Sequence, residues 1–316
     1  MISVTRDRAR TDSKESVARA AANIAIMVAF RALLTICAVL PQRMVRFFAL
    51  CIGWLAWRFN TKSRKITERN IAIACPELSI SDQRHLARAS FRQLFLSVAD
   101  IGRSWLWPAE RLLDCVSSVV GEEHLHASVA DNRGVIVLLP HLGNWELLGP
   151  YLAAQYPVTT LYKEPKNSAL NNMILRSRQR NGNVLVPANK SGVRALLKAL
   201  KSRELVVILP DQVPSKEGGE FALFFGEPAL TMTLVSKLID RNSSKAVLAY
   251  ALRQPDNSYQ IVIRPADEGI YSSDRSSALL ALNKSIERCV LDCPEQYQWE
   301  YKRYKFLPDY SRRESY

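Results

Sequence analysis

Short apolar segments alternate with helix-like segments from residue 134 onwards. The first, GVIVLLP at residues 134–140, is wholly apolar and rich in β-branched residues, which is typical of a strand buried on both faces. Further strands are predicted at 157–162, 183–187, 204–210, 246–252 and 259–265, with an apolar run at 221–225 and helices at 144–154, 168–180, 192–201, 231–241 and 276–291. This alternation predicts an α/β fold with a mainly parallel or mixed central sheet flanked by helices.

The N-terminal region has a different pattern of polar and apolar residues. Residues 1–19 are polar, and the following 21 residues, Ala20–Leu40, contain only Asn23, Arg31 and Thr35 as polar residues. A helix of this length spans roughly 31 Å, about one hydrocarbon thickness, although an arginine in mid-helix costs about 2.5–3.5 kcal/mol on insertion scales. A second apolar run, Phe47–Trp57, suits a helix lying in the membrane interface. Two core helices of a soluble protein are the alternative.

These patterns divide the chain at residue 59. Residues 1–59 are predicted to form a polar tail and membrane-anchoring or interfacial helices, and residues 60–316 an α/β domain whose first part, 60–130, is helical. Basic residues outnumber acidic ones by five to three in 1–19 and by seven to one in 41–69. This bias predicts that the α/β domain faces the cytoplasm. The six cysteines are spread through apolar segments, which favours a reducing compartment over a disulfide framework.

A surplus of positive charge predicts an anionic partner. The formal net charge is +13, and +9 of it lies between Lys163 and Arg203, where ten basic residues stand beside the single acid Glu164. Arg176 and Arg194 belong to this basic run. A nucleic acid, an acidic membrane face or an acidic protein would each satisfy the charge, and a solvated helix face would also explain it. No helix-turn-helix, zinc-finger or RNP-like pattern accompanies the run.

The segment HLGNWE at residues 141–146 is the strongest candidate site. His141 directly follows the first buried strand, where α/β sheets place functional side chains. Gly143 permits a tight turn, and Glu146 would then lie in the first turn of the next helix. A carboxylate there can hold one imidazole nitrogen and leave the other as a base. A strand-end histidine bonded to backbone is the structural alternative.

HLGNWE resembles the histidine-x4-acid motif of the lysophospholipid acyltransferase superfamily, and more specifically of the lipid A biosynthesis (late) acyltransferases. The resemblance covers nearly the whole chain. Further segments similar to the family are RKITERNIAIACPELS (64–79), WLWP (105–108), VVGEEHL (119–125), LPDQ (209–212), FFGEPA (224–229) and PEQYQWEYKRYK (294–305). The ordered set is more specific than the single motif.

The resemblance implies a glycerolipid acyltransferase-like fold at the cytoplasmic face of the inner membrane. It implies transfer of a fatty acyl chain from acyl carrier protein to a hydroxyl of a lipid A precursor, with His141 as general base and Glu146 as its orienting partner. No cofactor and no metal is implied, and neither a G-x-S-x-G elbow nor an H-E-x-x-H motif occurs in the sequence.

Two departures from the family pattern bear on the substrate. Relatives end the strand after the motif in a tyrosine-arginine-proline-like turn, whereas this chain reads Tyr162-Lys163-Glu164-Pro165, and lysine lacks the planar fork of arginine. Asp211, in LPDQ, is either a site residue or a turn residue. We therefore expect Lys163, Asp211, Arg176 and Arg194 to contact substrate. A sister acyltransferase acting on an aminolipid or glycolipid, and a hydrolase using the same base, are the competing functions.

Overall fold

A computed structural model describes residues 25–165, 167–180 and 182–314. Within them, seven strands form a central sheet and two more form a separate hairpin. The strands are β1 (Val116–Val120), β2 (Val135–Leu138), β3 (Val158–Tyr162), β4 (Val184–Pro187), β5 (Leu205–Ile208), β6 (Gly219–Phe224), β7 (Glu227–Met232), β8 (Lys245–Arg253) and β9 (Tyr259–Pro265). The predicted α/β architecture is therefore confirmed.

Helices precede the sheet and cover both of its faces. The first, α1, is helical over residues 25–39. The others are α2 (Gln42–Arg58), α3 (Lys62–Ala74), α4 (Ile80–Leu106), α5 (Ala109–Leu113), α6 (Glu122–Ala130), α7 (Leu148–Ala153), α8 (Ser168–Gln179), α9 (Lys190–Lys201), α10 (Leu234–Asn242) and α11 (Arg275–Asp292).

The sheet has the strand order β1-β9-β8-β2-β5-β3-β4, and every neighbouring pair is parallel except β8 and β9. Strands β2 and β5 lie in its interior and are buried along their whole length. Ile136 and Leu138 face one hydrophobic core, and Val135 and Val137 face the other. A wholly apolar strand is stable only in this position, because both of its faces are covered.

Two segments differ from the sequence prediction, one at β1 and one at the start of α10. The segment 116–120 was expected to be helical with the rest of 60–130, but it forms β1, an edge strand that pairs with β9. Its sequence VSSVV is only partly buried, so the pairing rather than an apolar pattern stabilises it. The predicted helix 231–241 begins later, at Leu234, because β7 continues to Met232. Phe225 and Gly226 both have positive φ and close the β6–β7 hairpin in two residues, as a type I′ turn does.

The N-terminal helices pack on α4. Cys37 of α1 and Val45 and Ala49 of α2 share a small core with Leu96 and Ala99 of α4. Two hydrogen bonds from α4 and its cap tie down the end of α1, from Arg103 to the carbonyl of Leu40 (3.0 Å) and from Trp107 to the carbonyl of Ala38 (2.8 Å). These contacts join the N-terminal segment to the α/β body.

The outer surface of α1 and α2 is apolar. Exposed large side chains recur at helical spacing on α2, and more lie on α1; they are Ile26, Val28, Leu33, Ile36, Val39, Met44, Phe47, Phe48, Ile52, Trp54, Leu55 and Phe59. Residues 20–24 of the predicted spanning segment Ala20–Leu40 lie outside the described residues. Among the helices that the structure describes, none has both the length and the apolar character needed to cross a membrane.

Gly102 lets α1 approach α4 closely. A Cβ atom at this position would lie 2.6 Å from the Cβ of Cys37 and 2.7 Å from the carbonyl oxygen of Leu34. We expect Gly102→Val to push the helices apart and to lower the free energy of unfolding by about 1–3 kcal/mol, the usual cost of overpacking. Denaturant unfolding followed by circular dichroism measures this loss. Ala89→Val, at a less buried position of α4, is the control, and equal stability of the two variants would contradict the close packing.

Candidate active site

The pairing of β2 with β5 brings His141 and Asp211 together. The two strands are parallel, with Leu138 opposite Ile208. Each strand is followed by a leucine and a proline, and then by His141 or Asp211. Because both residues lie three positions beyond paired residues, their side chains meet at the carboxyl edge of the sheet, where α/β folds bind ligands.

Asp211 holds His141 through two contacts. Its Oδ1 lies 2.7 Å from Nδ1 of the imidazole, and its Oδ2 accepts a hydrogen bond of 2.8 Å from the backbone N–H of His141. Burial raises the pKa of Asp211, but the charge of His141 and these hydrogen bonds outweigh it and hold the pKa below its ordinary value. An ionised Asp211 accepts a hydrogen bond from Nδ1–H of a neutral imidazole, and in that tautomer Nε2 carries the lone pair.

The Nε2 side of the ring is also defined. The side-chain nitrogen of Gln212 lies 3.1 Å from Nε2 and 3.3 Å from Oε1 of Gln298. The backbone N–H of Gln298 donates to the carbonyl of His141 (3.1 Å), and the indole of Trp145 packs edge-on against the imidazole at 5.1 Å between centroids. Nε2 thus faces the neutral side-chain amide of Gln212, whose place a hydroxyl group can take.

The turn after His141 requires glycine. Gly143 has φ +62°, and a Cβ atom would lie 2.0 Å from the carbonyl oxygen of Ala251. The same carbonyl accepts a hydrogen bond of 2.8 Å from the N–H of Asn144. The turn predicted at Gly143 is present. Trp145–Leu147 then form a single 3-10 turn before α7, in place of the regular helix start that we expected.

Glu146 contacts Arg178 and does not hold the imidazole. The Arg178 side chain donates two hydrogen bonds to its carboxylate, one of them 2.9 Å from Nε to Oε2. Burial raises the pKa of Glu146, but the guanidinium of Arg178 outweighs it and lowers the pKa below its usual range. The prediction that Glu146 holds the imidazole is therefore wrong. The turn at Gly143 is hydrogen-bonded to the carbonyl of Ala251 and directs Glu146 towards α8. The charge of His141 still lowers the pKa of Glu146.

The residues predicted to bind substrate do not form one cluster. Asp211 contacts His141, as described. Arg176 is exposed on α8, and Arg194 is exposed on α9. Lys163 is exposed after β3. Strands that follow one another in the chain are often neighbours in a sheet, which predicts that β3 adjoins β2, but this prediction is wrong, because β5 lies between them. The rule that consecutive strands are neighbours fails here because the fully apolar β5 requires an interior position.

Sequence reasoning did not single out four residues of this region. Arg178 was seen only as one of the basic residues of the run, and Gln212 only as part of LPDQ. Gln298 and Glu300 stand in the C-terminal segment that resembles the family, where no spacing rule connects them to His141. Burial raises the pKa of Glu300 to about 7, against an opposing hydrogen bond with Gln298. The charge of His141 also lowers this pKa, so a titratable carboxyl lies near the histidine.

Together, the fold and the site define a layered α/β protein with a histidine–aspartate pair at the carboxyl end of its central parallel strands. Such a pair can take a proton from a hydroxyl group. A family model described as bacterial lipid A biosynthesis acyltransferase matches residues 13–306. The chain belongs to this family of lipid A late acyltransferases, and the predicted acyltransferase activity is supported by that membership.

Individual relatives agree with the family match. The lipid A biosynthesis palmitoleoyltransferase of Escherichia coli (strain K12) is 30% identical over 271 residues, covering 85% of this chain and 87% of the relative. The lipid A biosynthesis lauroyltransferase of the same organism is 25% identical over 272 residues, covering 85% and 88%. A lipid A biosynthesis acyltransferase of Haemophilus influenzae is 22% identical over 275 residues, covering 85% and 87%.

The two carboxylates of the site should respond differently to substitution. Asp211→Asn keeps the shape but loses the charge that stabilises an imidazolium, so we expect the rate to fall by about 10²- to 10⁴-fold with the fold retained. Glu146→Gln leaves Arg178 without its anion, which costs about 3–5 kcal/mol in a fully buried pair and less here, where Arg178 is 27% exposed. Steady-state kinetics and thermal unfolding of both variants measure these effects.

The control is Asp131→Asn, which removes an exposed carboxylate paired with Arg133. It should change neither rate nor stability appreciably. A wild-type rate in Asp211→Asn would show that this carboxylate does not assist the histidine.

Proposed function

We propose that the enzyme transfers a fatty acyl chain from acyl carrier protein to a hydroxyl of a lipid A precursor, with His141 as general base. The observation that carries the proposal is the contact between Asp211 and Nδ1 of His141, which leaves the Nε2 side of the ring towards the carboxyl edge of the sheet. Asp211 accepts a hydrogen bond from Nδ1–H, and Nε2 faces the side-chain amide of Gln212. In a chain of the lipid A acyltransferase family, an unprotonated imidazole nitrogen at the sheet edge is the group that can activate the acceptor hydroxyl.

The bond changes balance with these groups. The acceptor hydroxyl takes the place of the Gln212 amide and gives its proton to Nε2 of His141 as its oxygen attacks the thioester carbonyl carbon. The carbon–sulfur bond then breaks, and the imidazolium returns its proton to the departing thiolate. Asp211 stabilises the imidazolium during the step. The proposed mechanism includes no covalent enzyme intermediate, no cofactor and no metal.

Glu146 assists His141 in this mechanism through its charge and its position, without touching the imidazole. Its carboxylate is only 7% exposed and stays ionised beside Arg178. A negative charge near the imidazole favours the imidazolium that forms during transfer. The pair also attaches α8 to the turn that follows His141, so Arg178 acts as a positioning residue.

The exposed basic residues supply the partner surface. Lys163 and Arg194 stand on exposed positions of the basic run, which holds +9 of the net charge. Acyl carrier protein is acidic and a lipid A precursor carries phosphates, so both would be attracted to this surface. Contact with Lys163 and Arg194 would mainly affect the association of the anionic partner.

We place the enzyme on the cytoplasmic face of the inner membrane, as a single-pass or monotopic protein. The exposed apolar side chains of α1 and α2 support this, since Phe47 and Phe48 are 62% and 51% exposed. On the opposite side of α2, Val45, Ala49 and Gly53 are buried against the protein. A helix that packs on the body with one side and shows an aromatic stripe on the other suits the lipid interface.

Lys163 supports a second candidate, a sister acyltransferase that acts on another membrane lipid such as an aminolipid or glycolipid. The residue stands where the family pattern has an arginine, and a lysine does not reproduce the bidentate contact of a guanidinium with phosphate. The same His141 chemistry would then acylate a different hydroxyl or amine. The identity of the product separates the two functions.

His141→Ala tests the proposed base. Purified enzyme with acylated carrier protein and a lipid A precursor should lose about 10²- to 10⁴-fold or more in transfer rate, because the general base is absent. Mass spectrometry of the products identifies an acylated lipid for a transferase and free fatty acid for a hydrolase. Lipid A from cells with and without the gene should differ by one acyl chain. Near-normal transfer by a folded His141→Ala enzyme would contradict the role of His141.

The apolar stripe of α2 can be tested separately. Phe47→Ser together with Phe48→Ser should weaken binding of the enzyme to anionic phospholipid vesicles, because each aromatic side chain contributes about 1.5–3 kcal/mol when it leaves water. Leu291→Ser is the control, since Leu291 is 62% exposed on α11. Vesicle flotation measures the bound fraction. Unchanged binding of the double variant would place the membrane contact elsewhere.

A further inference from the structure

A large cavity lies beside the candidate active site. Its volume is about 910 Å³, and it opens between α1, the end of α4 and α8. Residues that matter for its chemistry are Met27, Val28, Arg31, Trp105, Met173 and Arg176. A concave space of this size suits a small molecule or part of a lipid, and it is too small for a folded protein partner.

Two arginines give the cavity its charge. Arg31 comes from α1 and Arg176 from α8, and both are exposed. Within the described residues, neither makes an ion pair. Arg180 also lines the cavity, but its guanidinium donates to the backbone carbonyls of Trp105 and Leu106 (3.3 Å each). Arg180 keeps its charge, but its donors are directed to these carbonyls, so Arg31 and Arg176 are the arginines of the cavity whose N–H groups can best turn to an anion.

Helix geometry explains why the alternating arginines of the basic run have different partners. Residues four apart lie on one face of a helix, and residues two apart point in nearly opposite directions. Arg176 and Arg180 therefore share the cavity side, whereas Arg178 between them turns to Glu146.

The first turn of α8 also lines the cavity, at Asn167, Ser168 and Ala169. The N–H groups and dipole of a helix start add positive potential.

The rest of the wall is apolar. Met27 and Val28 of α1 face the same space as Leu106 and Met173. Methionine side chains adapt to irregular apolar ligands. The two arginines of the cavity, which form no ion pair among the residues that the structure describes, and its flexible apolar wall match an amphiphile that has an anionic head and a hydrocarbon chain better than a purely polar solute or a neutral lipid.

We propose that this cavity binds a phosphate monoester of the lipid acceptor through Arg31 and Arg176, with a hydrocarbon chain of the same molecule against Met27, Val28 and Met173. The inference rests on the proposed function, because it assigns a subsite for that acceptor. Guanidinium groups bind phosphate by paired hydrogen bonds. Arg31, which is costly in a helix surrounded by lipid, acquires an anionic partner in this position.

The position of the cavity suits an acceptor subsite. Ser177 lines it, and the next residue, Arg178, binds Glu146. Trp105 lines it as well, and its indole lies near enough to Glu146 to lower the pKa of that carboxyl. The cavity thus adjoins the side of the site that lies behind Glu146, so a lipid held by its phosphate there can extend a hydroxyl towards His141.

Kinetics of Arg31→Gln, Arg176→Gln and the double variant test the proposal. With acylated carrier protein saturating, each single change should raise KM for a phosphorylated lipid A precursor by about tenfold, the loss of one charge-assisted contact. The kcat value should stay within about twofold, since the chemistry is unaltered. KM for the acyl donor should not change. With a dephosphorylated precursor, the wild type should show the raised KM, and the variants should raise it no further.

The control is Arg241→Gln, which removes an exposed arginine of α10 outside the cavity. A rise in KM that is equal for phosphorylated and dephosphorylated precursors would overturn the phosphate assignment. A rise confined to the acyl donor would assign the two arginines to the carrier protein or its phosphodiester arm instead, and would also overturn it.

A binding measurement separates this inference from the proposed function. Detergent micelles containing phosphatidic acid should raise the unfolding temperature of the wild-type enzyme, and micelles containing diacylglycerol should not. The Arg31→Gln, Arg176→Gln variant should lose the difference. If no lipid A precursor is acylated but this difference is present, the proposed function fails while the phosphate site stands. If acylation proceeds and the difference is absent, the phosphate site is wrong.

Discussion

The parallel pairing of β2 with β5 is the contact on which the site depends. It places Leu138 opposite Ile208, and the residues three positions further on, His141 and Asp211, then meet at hydrogen-bond distance. A shift of one residue in this register would separate the two side chains and would turn the apolar strand faces away from their cores. The same apolar burial that stabilises the sheet therefore also brings Asp211 into contact with the histidine.

A second layer of contacts surrounds this pair. The turn at Gly143 is bonded to Ala251 and to the backbone carbonyl of Gln296, so β8 and the C-terminal segment hold the chain as it leaves β2. The Glu146–Arg178 pair then connects the turn to α8. A buried ion pair contributes little net stability, but its rigid geometry defines which face of α8 meets the site. The opposite face of α8, which carries Arg176, lines the neighbouring cavity.

The N-terminal helices combine two environments. One side of α2 packs on α4 with small residues, and the other side exposes aromatic rings. Helix α1 is held at its end by Arg103 and Trp107, yet it contributes Arg31 to the wall of the cavity. The segment that would bring the enzyme to a lipid surface is thus also part of the wall of the cavity. This arrangement would let a membrane lipid reach the site without leaving the interface.

Several features could be predicted from the sequence because they depend on local patterns. The wholly apolar run 134–140 predicts a buried strand, the alternation predicts an α/β fold, and His141 with Gly143 predicts a strand-end site with a turn. The strand, the fold class and the turn are confirmed in the structure, and the role of His141 stays a prediction. The hairpin β6–β7 and the edge strand β1 were missed, because Phe225 is an unusual residue at positive φ and because VSSVV forms a strand only through pairing with β9.

The partners of the site residues were decided by the tertiary structure. The spacing of His141 and Glu146 suggested that they pair, but β5, seventy residues later in the chain, brings Asp211 to the imidazole, and α8 brings Arg178 to Glu146. Strand order is a property of the whole sheet, set by which strands must be buried on both faces, and no local pattern encodes it. The sequence by itself predicted most of the helices and strands, the strand-end histidine with its turn, and the excess of positive charge. The order of the strands and the faces of α8 decided which carboxylate holds the histidine and which arginines remain available for an anion.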